Sequence, residues 1–312
     1  MTDPLPPNFF VVGGTLKREA PSYISRPADG ELFRLTLEGE YCNVLASRQM
    51  GKSSLMVRTA ERLRRHGVRS VIVDLTRIGS SITASQWYLS FIAEMAWQLD
   101  LDLDVDAWWL DREERGPVHN FSSFLRDVVF REISDPIVVF VDEIDSTLNL
   151  EFTDDFFAAI RAAYNARAND ERYERLTFVL LGVARPADLV KDRTRTPYNI
   201  GNNTDLTDFR IQELGVFQDV LEVTHPEQGE QILQWVLDWT GGQPYLTQKL
   251  CETLIERKNG VLVKKEIDSC VTQLFLGEKA RKESNLMAIR DRVKSSPYLV
   301  EMLKIYQQVL RN

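Results

Sequence analysis

Apolar and polar positions divide the chain into two regions of different rhythm. In the first, short and solidly apolar runs alternate with longer stretches of helical period. Tyr41 to Leu45, Arg69 to Leu75, a run opening at Pro136 (P-I-V-V-F-V) and Leu176 to Leu181 read as strands, and Ile200 to Leu206 as a shorter fifth. Helices are predicted after Pro27 (with Leu32, Phe33 and Leu35) and over Ser53 to His66, Ala84 to Leu99, Phe121 to Ile133 and Asp154 to Ala168. In the second of these, Leu55, Met56, Thr59, Ala60 and Leu63 recur at helical spacing, and Gly67 suits the left-handed residue that ends a helix. Strands without a polar face need cover on both sides, so the pattern predicts an α/β fold wound doubly about a parallel sheet.

After about residue 207 only helical patterns remain, roughly at 208–221, 227–240, 244–258, 264–277, 280–294 and 297–311. The expected division is a core at 1–207 and an all-helical part at 208–312. Residues 1–26 read as largely irregular, because Pro4, Pro6, Pro7, Gly13, Gly14 and Pro21 are turn formers, with a short strand at Phe9 to Val12. No internal repeat is evident.

Composition narrows the function. At ~150 residues per domain, 312 residues suggest about two domains. Lys plus Arg number 38 against 46 for Asp plus Glu, a net charge of −8, which disfavours a nucleic-acid binder. With 44% hydrophobic and 27% charged residues, the chain is neither disordered nor a disulfide scaffold. Cys42, Cys251 and Cys270 are too few and too far apart for a disulfide framework or a C-x-x-C metal site, which points to a reducing compartment. The N-terminus has no basic or apolar leader, and no apolar run approaches the ~18 residues of a spanning helix, so a cytoplasmic protein with no membrane contact is expected.

The strongest chemical signal is A-S-R-Q-M-G-K-S-S at 46–54, between an apolar strand and an amphipathic helix. It matches the phosphate-binding loop G-x-x-x-x-G-K-[ST] with Ala46 in place of the first glycine. In such a loop the backbone N–H groups of Ser47, Arg48, Gln49, Met50, Gly51 and the first helical residues, through Ser54, face phosphate. Gly51 allows close approach, Lys52 reaches the β- and γ-phosphates, and the Ser53 hydroxyl serves Mg²⁺. The second signal is I-V-V-F-V-D-E-I-D at 137–145, an apolar strand delivering Asp142 and Glu143 to its C-terminal end. Asp142 would complete the Mg²⁺ shell and Glu143 would polarise the attacking water. Two such elements in this order, each on its own strand, predict a nucleotide site at the carboxyl ends of the sheet.

Weaker signals stand beside them. Arg185, just past the fourth strand, either reads the γ-phosphate or is solvated; Arg193 and Arg195 read as loop residues, with a trans-acting arginine the less favoured alternative. D-L-D-L-D-V-D at 100–106 has the acid spacing of a calcium loop, but Ala107 stands where glycine is required, so an acidic loop with aromatic anchors is preferred. Arg58, Arg62, Arg64, Arg65 and Arg69 read as a solvated helix face rather than a nucleic-acid patch. His66, His119 and His225 have no metal spacing, and no G-x-S-x-G is present.

With these motifs placed, the sequence resembles the AAA-like domain of bacterial, cyanobacterial-type signalling proteins, within the STAND class of P-loop ATPases. The resemblance rests on F-F-V-V-G-G-T-L at 9–16, A-P-S-Y-I-S-R-P-A-D-G-E-L at 20–32 and S-R-Q-M-G-K-S-S-L at 47–55. V-D-L-T-R-I-G-S at 73–80, V-D-E-I-D at 141–145, R-T-P-Y-N-I-G at 195–201 and T-G-G-Q-P-Y-L-T-Q-K-L-C at 240–251 extend it over nearly the whole chain. It implies a P-loop NTPase core with a C-terminal helical lid, binding ATP or ADP with Mg²⁺. It places an N-terminal segment at 1–38 on the adenine side, with Arg26 near the base. It places Pro244 in the G-x-P motif of the lid and Arg185 at the sensor position. It further implies slow hydrolysis, a protein partner or effector module, and nucleotide-dependent self-association. Family members continue into a winged helix, about where this chain stops.

The reading is an ATP- and Mg²⁺-dependent switch in a signalling or defence system. A DNA-associated ATPase of the initiator or transposition-helper kind is one alternative, and a non-hydrolysing nucleotide-bound scaffold another.

Overall fold

Five parallel strands, β1 (Cys42–Leu45), β2 (Arg69–Asp74), β3 (Ile137–Asp142), β4 (Leu176–Gly182) and β5 (Asn202–Asn203), form one sheet in the order β2-β3-β4-β1-β5. The computed structural model describes residues 9–17, 19–79, 81–183, 200–257, 261–276, 283–296 and 298–309. Every residue of β3 and β4 is buried, as expected of strands covered on both faces. On one face Val71, Val139, Val141 and Phe178 meet Trp87 and Phe91 of α3 (Ala84–Leu99). On the other, Val44, Val138 and Phe140 meet Leu32 of α1 (Pro27–Leu37) and Leu55 and Ala60 of α2 (Lys52–Arg65).

Local chemistry sets the helix ends. Pro27 opens α1, where its fixed φ and missing N–H cost nothing. Thr83 and Gln86 form a capping box at the start of α3, a feature that contributes about 1 kcal/mol. Three shorter helices complete this region: α4 (Val105–Leu110), α5 (Pro117–Phe124), which runs on through a widened turn at Leu125–Val129, and α6 (Thr153–Ala166). The C-terminal region is helical: α7 (Gly215–Thr224), α8 (Gly229–Thr240), α9 (Pro244–Glu256), α10 (Lys264–Val271), α11 (Ser284–Ser295) and α12 (Leu299–Val309). Phe217, Ile232, Val236, Leu250, Leu254 and Ile267 form its core.

Four expectations need correction. Phe9 to Val12 forms no strand; Phe9 and Phe10 turn their rings edge-on to Phe217 and join the core of the C-terminal helices. The acidic run at 100–106 is not wholly a loop. Asp104 accepts a 3.0 Å bond from the Ala107 N–H and caps α4, so the carboxylate expected to mark a loop starts a helix. The helix expected at 208–221 begins only at Gly215, because the Phe209 N–H is taken by the Gly242 carbonyl at 2.8 Å and Arg210 to Glu213 makes a tight turn. The fifth strand shrinks to two residues. No helix among the described residues is long and apolar enough to cross a membrane.

Candidate functional site

All five strands run the same way, so β1, β3 and β4 release their chains on one edge of the sheet. From β1 the chain enters the loop 46–51 and then α2. Gly51 has φ +89° and Gln49 φ +61°, so the loop makes two left-handed turns before the helix begins. Lys52 is the first residue of α2 and is buried. Its Nζ donates to the Ala46 carbonyl at 2.9 Å and the Ser47 carbonyl at 3.1 Å, closing the loop on itself. Burial lowers the Lys52 pKa; the carboxylates of Glu143, Asp142 and Asp145 act against that shift.

Asp142 is the last residue of β3 and is buried. Its Oδ2 accepts a 2.9 Å bond from the Ser53 hydroxyl, and its Oδ1 a 2.9 Å bond from the Glu143 N–H. Burial raises the Asp142 pKa, opposed by the Ser53 bond. Glu143 adopts φ +56°, a left-handed conformation that a non-glycine residue keeps only under constraint, and such residues gather at functional sites. Its pKa is raised by burial first, then by Asp145 and Asp142. Asp145 Oδ1 accepts from the Val183 N–H at 2.9 Å, tying the exit of β3 to that of β4.

A cavity of about 390 Å³ opens here, lined by Thr15, Arg48, Lys52, Ser53 and Glu143. Its chemistry fits a polyphosphate with a divalent cation. Two cationic side chains and the N-terminus of a 14-residue helix face it. The adjoining Ser53 and Asp142 oxygens are the hard donors that Mg²⁺ takes. Among the described residues no group of three or more His, Cys, Asp or Glu could hold a metal by itself.

A second, narrower cavity of about 70 Å³ lies beside it, lined by Val11, Tyr23, Arg26, Met50, Phe209 and Pro244, among others. The buried Arg26 donates through Nη1 to the Met50 carbonyl at 2.9 Å and the Thr207 carbonyl at 3.2 Å, with its guanidinium 5.5 Å from the Phe209 ring centre. Burial lowers its pKa. Asp29 orders the approach: its Oδ2 accepts from the Arg26 N–H at 2.9 Å and its Oδ1 from the Tyr23 hydroxyl at 2.6 Å.

The C-terminal helices touch the loop directly. Gln243 Nε2 donates to the Gln49 carbonyl at 3.4 Å, and Asn285 Nδ2 to the Arg48 carbonyl at 3.5 Å. Gly242 approaches Phe209 so closely that a Cβ would stand 2.2 Å from the Phe209 carbonyl oxygen. That contact and its φ of +82° both require glycine.

The residues singled out in the sequence therefore fall into two groups. Arg48, Lys52, Ser53 and Glu143 line the wide cavity, with Asp142 beneath it. Arg26, Met50 and Pro244 line the narrow one, and Gln49, Gly51 and Ser54 line both. Ser47 lies apart, in a groove with Asp145 and Asn285. Ser54 Oγ accepts from the Leu16 N–H at 3.0 Å, fastening the N-terminal segment over α2. Arg185, Arg193 and Arg195 lie outside the described residues. The sequence reading missed Thr15, Tyr23, Phe209, Gln248 and Asn285 as site residues, and the tie made by Asp145. Asp145 was visible in D-E-I-D; Phe209 and Asn285 carry no local pattern that marks them.

The sequence profile of the AAA-like domain family matches residues 11–274. An uncharacterized WD repeat-containing protein of Synechocystis sp. is 41% identical over 251 residues, 79% of this chain and 21% of that protein. The chain thus spans about a fifth of that relative's length. Among solved structures, the Aeropyrum pernix ORC2 protein in ADPNP–ADP complexes superposes with a TM-score of 0.50 at 13% identity, covering 84% of this chain and 70% of that one. Domain III of the Thermotoga maritima replication initiation protein DnaA gives 0.47 at 13% identity, covering 86% and 98%. The fold is that of a P-loop NTPase, a doubly wound parallel sheet followed by helices.

Proposed function

This chain belongs to the AAA-like domain family, and from that premise we propose that it is an ATP- and Mg²⁺-dependent STAND-type switch with slow hydrolysis, the regulatory module of a signalling or defence system. One observation carries the switch reading: Gln243 and Asn285, from the C-terminal helices, donate to backbone carbonyls of the phosphate loop. A change in that loop therefore reaches those helices without an intermediary. The narrow cavity supports the same reading. Its lining joins Arg26 of the N-terminal segment, Met50 of the loop and Pro244 of the C-terminal helices around one space.

In this reading the residues act as follows. Lys52 leaves the Ala46 and Ser47 carbonyls and turns its charge to the β- and γ-phosphates. Ser53 and Asp142 would hold Mg²⁺, which would supply positive charge against that of the phosphates. Glu143 orients the attacking water and takes its proton; burial raises its basicity for that task. Arg26 keeps the N-terminal segment and Phe209 against the base side. Contacts to the γ-phosphate exist in only one state of the cycle, and that difference shifts the balance between closed and open forms. The division into a core at 1–207, with its adenine-side segment at 1–38, and a lid at 208–312 belongs to this proposal, as does Arg185 as sensor.

The relative's WD repeats support a protein partner or effector module for the switch. A DNA-associated role has less support. Arg62 lies 3.8 Å over the Phe33 ring, Arg58 4.2 Å over Tyr23, and Arg64 and Arg65 pair with Glu61, so the basic face of α2 is engaged within the chain.

The test is to identify the nucleotide that co-purifies with the protein and to measure turnover. ADP retained through purification, with slow Mg²⁺-dependent hydrolysis and a change of shape on exchange for ATP, is expected. Absence of nucleotide affinity would overturn the reading. Tight binding without turnover would favour the scaffold.

A further inference from the structure

Gln248 lies one turn beyond Pro244 on α9, and its side chain lines the narrow cavity. It is only 7% exposed, and its amide oxygen has no hydrogen-bond partner among the described residues. A buried amide left unpaired is costly, so such a group is kept where something outside the chain completes it. Val11, Ile24, Met50, Phe209 and Pro244 offer it no side-chain partner, and the polar side chains of Tyr23, Gln49, Ser54 and Tyr245 complete the lining. Arg26, the cation of the same cavity, donates through Nη1 to the Met50 and Thr207 carbonyls, while its Nε, like the Gln248 oxygen, has no partner among the described residues.

We infer that Gln248 reads the base and makes the site selective for 6-aminopurine nucleotides. The inference rests on the nucleotide reading proposed above and adds the residue that identifies the base. A glutamine amide presents one acceptor beside one donor. Adenine offers the matching pair, its 6-amino donor beside the N7 acceptor. A 6-oxopurine presents two acceptors on that edge, O6 and N7, and would set its oxygen against the Gln248 oxygen. A site built to pair a polar edge rejects the analogue that leaves its buried amide unmatched. Gln248 rides on the helix that Gln243 ties to the phosphate loop, so the base is read by the element that moves with the switch.

Adenosine and inosine diphosphates differ on this edge at position 6 alone and are the probes. Their affinities for wild type and Gln248→Leu are measured by calorimetry with Mg²⁺ present, along with the Tm of each nucleotide-free protein. Wild type should prefer ADP by about tenfold or more, the lower range of a paired base contact. Gln248→Leu should lose that preference by weakening ADP while leaving IDP nearly unchanged. Its nucleotide-free Tm should equal or exceed that of wild type, since an unpaired buried amide is replaced by an apolar group of similar size. Gln248→Met carries the same reading if the leucine variant does not fold. An ADP preference retained in the variant would overturn the inference, as would a lowered Tm with both nucleotides weakened alike. Wild type that binds neither nucleotide would overturn the proposed function itself, whereas an unaltered preference leaves that function standing.

Discussion

The Ser53 hydroxyl and Asp142 Oδ2, 89 residues apart in the chain, are joined by a 2.9 Å hydrogen bond. Because β4 lies between β1 and β3, that bond reaches over the end of β4 and joins the first turn of α2 to the acidic tip of β3. Asp142→Asn keeps an oxygen that can accept from Ser53 but removes the charge a cation needs. The variant should fold normally and bind nucleotide equally with and without Mg²⁺, whereas wild type should bind more tightly with it. Titrations in the presence of Mg²⁺ and of a chelator check this.

Lys52→Ala removes the cation that closes the loop on Ala46 and Ser47. Affinity for both ATP and ADP should fall roughly 10- to 100-fold, the range of a lost charge-assisted hydrogen bond. The nucleotide-free Tm should change little, because the buried ammonium is also relieved of its desolvation cost. Equal affinities for mutant and wild type would remove the loop from the phosphate site.

Glu143→Gln should retain Mg-ATP while turnover falls by about 10²–10⁴. The wild-type rate should have an acid limb above the ordinary glutamate value of 4.5, since burial raises the pKa in the folded protein. The stability consequence has a fixed sign. A carboxyl with a raised folded pKa is more protonated folded than unfolded between the two values, so it destabilises above that window and ceases to as pH falls through it. Glu143→Gln should therefore melt higher than wild type at neutral pH, with the gap narrowing toward pH 4.5. Melting curves across that range test the sign.

Neighbouring turn residues separate structure from ligand. Gly242→Ala forces a Cβ to 2.2 Å from the Phe209 carbonyl at φ +82°, and Tm should fall by roughly 5 °C or more. Pro244→Ala alters a first-turn residue that the helix does not require, so Tm should fall by only ~1–2 °C. Pro244 lines the narrow cavity, and ADP should leave the variant faster. Unchanged release from Pro244→Ala would make that turn structural alone.

The sheet was legible because buried parallel strands write themselves as unbroken apolar runs: Ile137–Asp142 and Leu176–Gly182 were located to within a residue or two. The loop at 46–54 was legible because its motif occupies consecutive residues between a strand and a helix. What escaped was set by distant partners. Phe9 and Phe10 read as a short strand because their destination, Phe217, lies some two hundred residues on. The helix expected from 208 was shortened by Gly242, which holds the Phe209 N–H. Asn285 has no local signature, since its bond is to the backbone of Arg48, 237 residues away. Gln248 looked like any polar residue of an amphipathic helix.

The burial of Phe9 and Phe10 against Phe217 also sets an order of events during synthesis. The two rings are made about two hundred residues ahead of the helix that shelters them, a lag on the order of 10–40 s at usual elongation rates. Through that interval the parallel strands can pair, but Phe9 and Phe10 stay without the ring of Phe217. The narrow cavity walled by Val11, Phe209 and Pro244 is therefore enclosed only once residues far along the chain have been made.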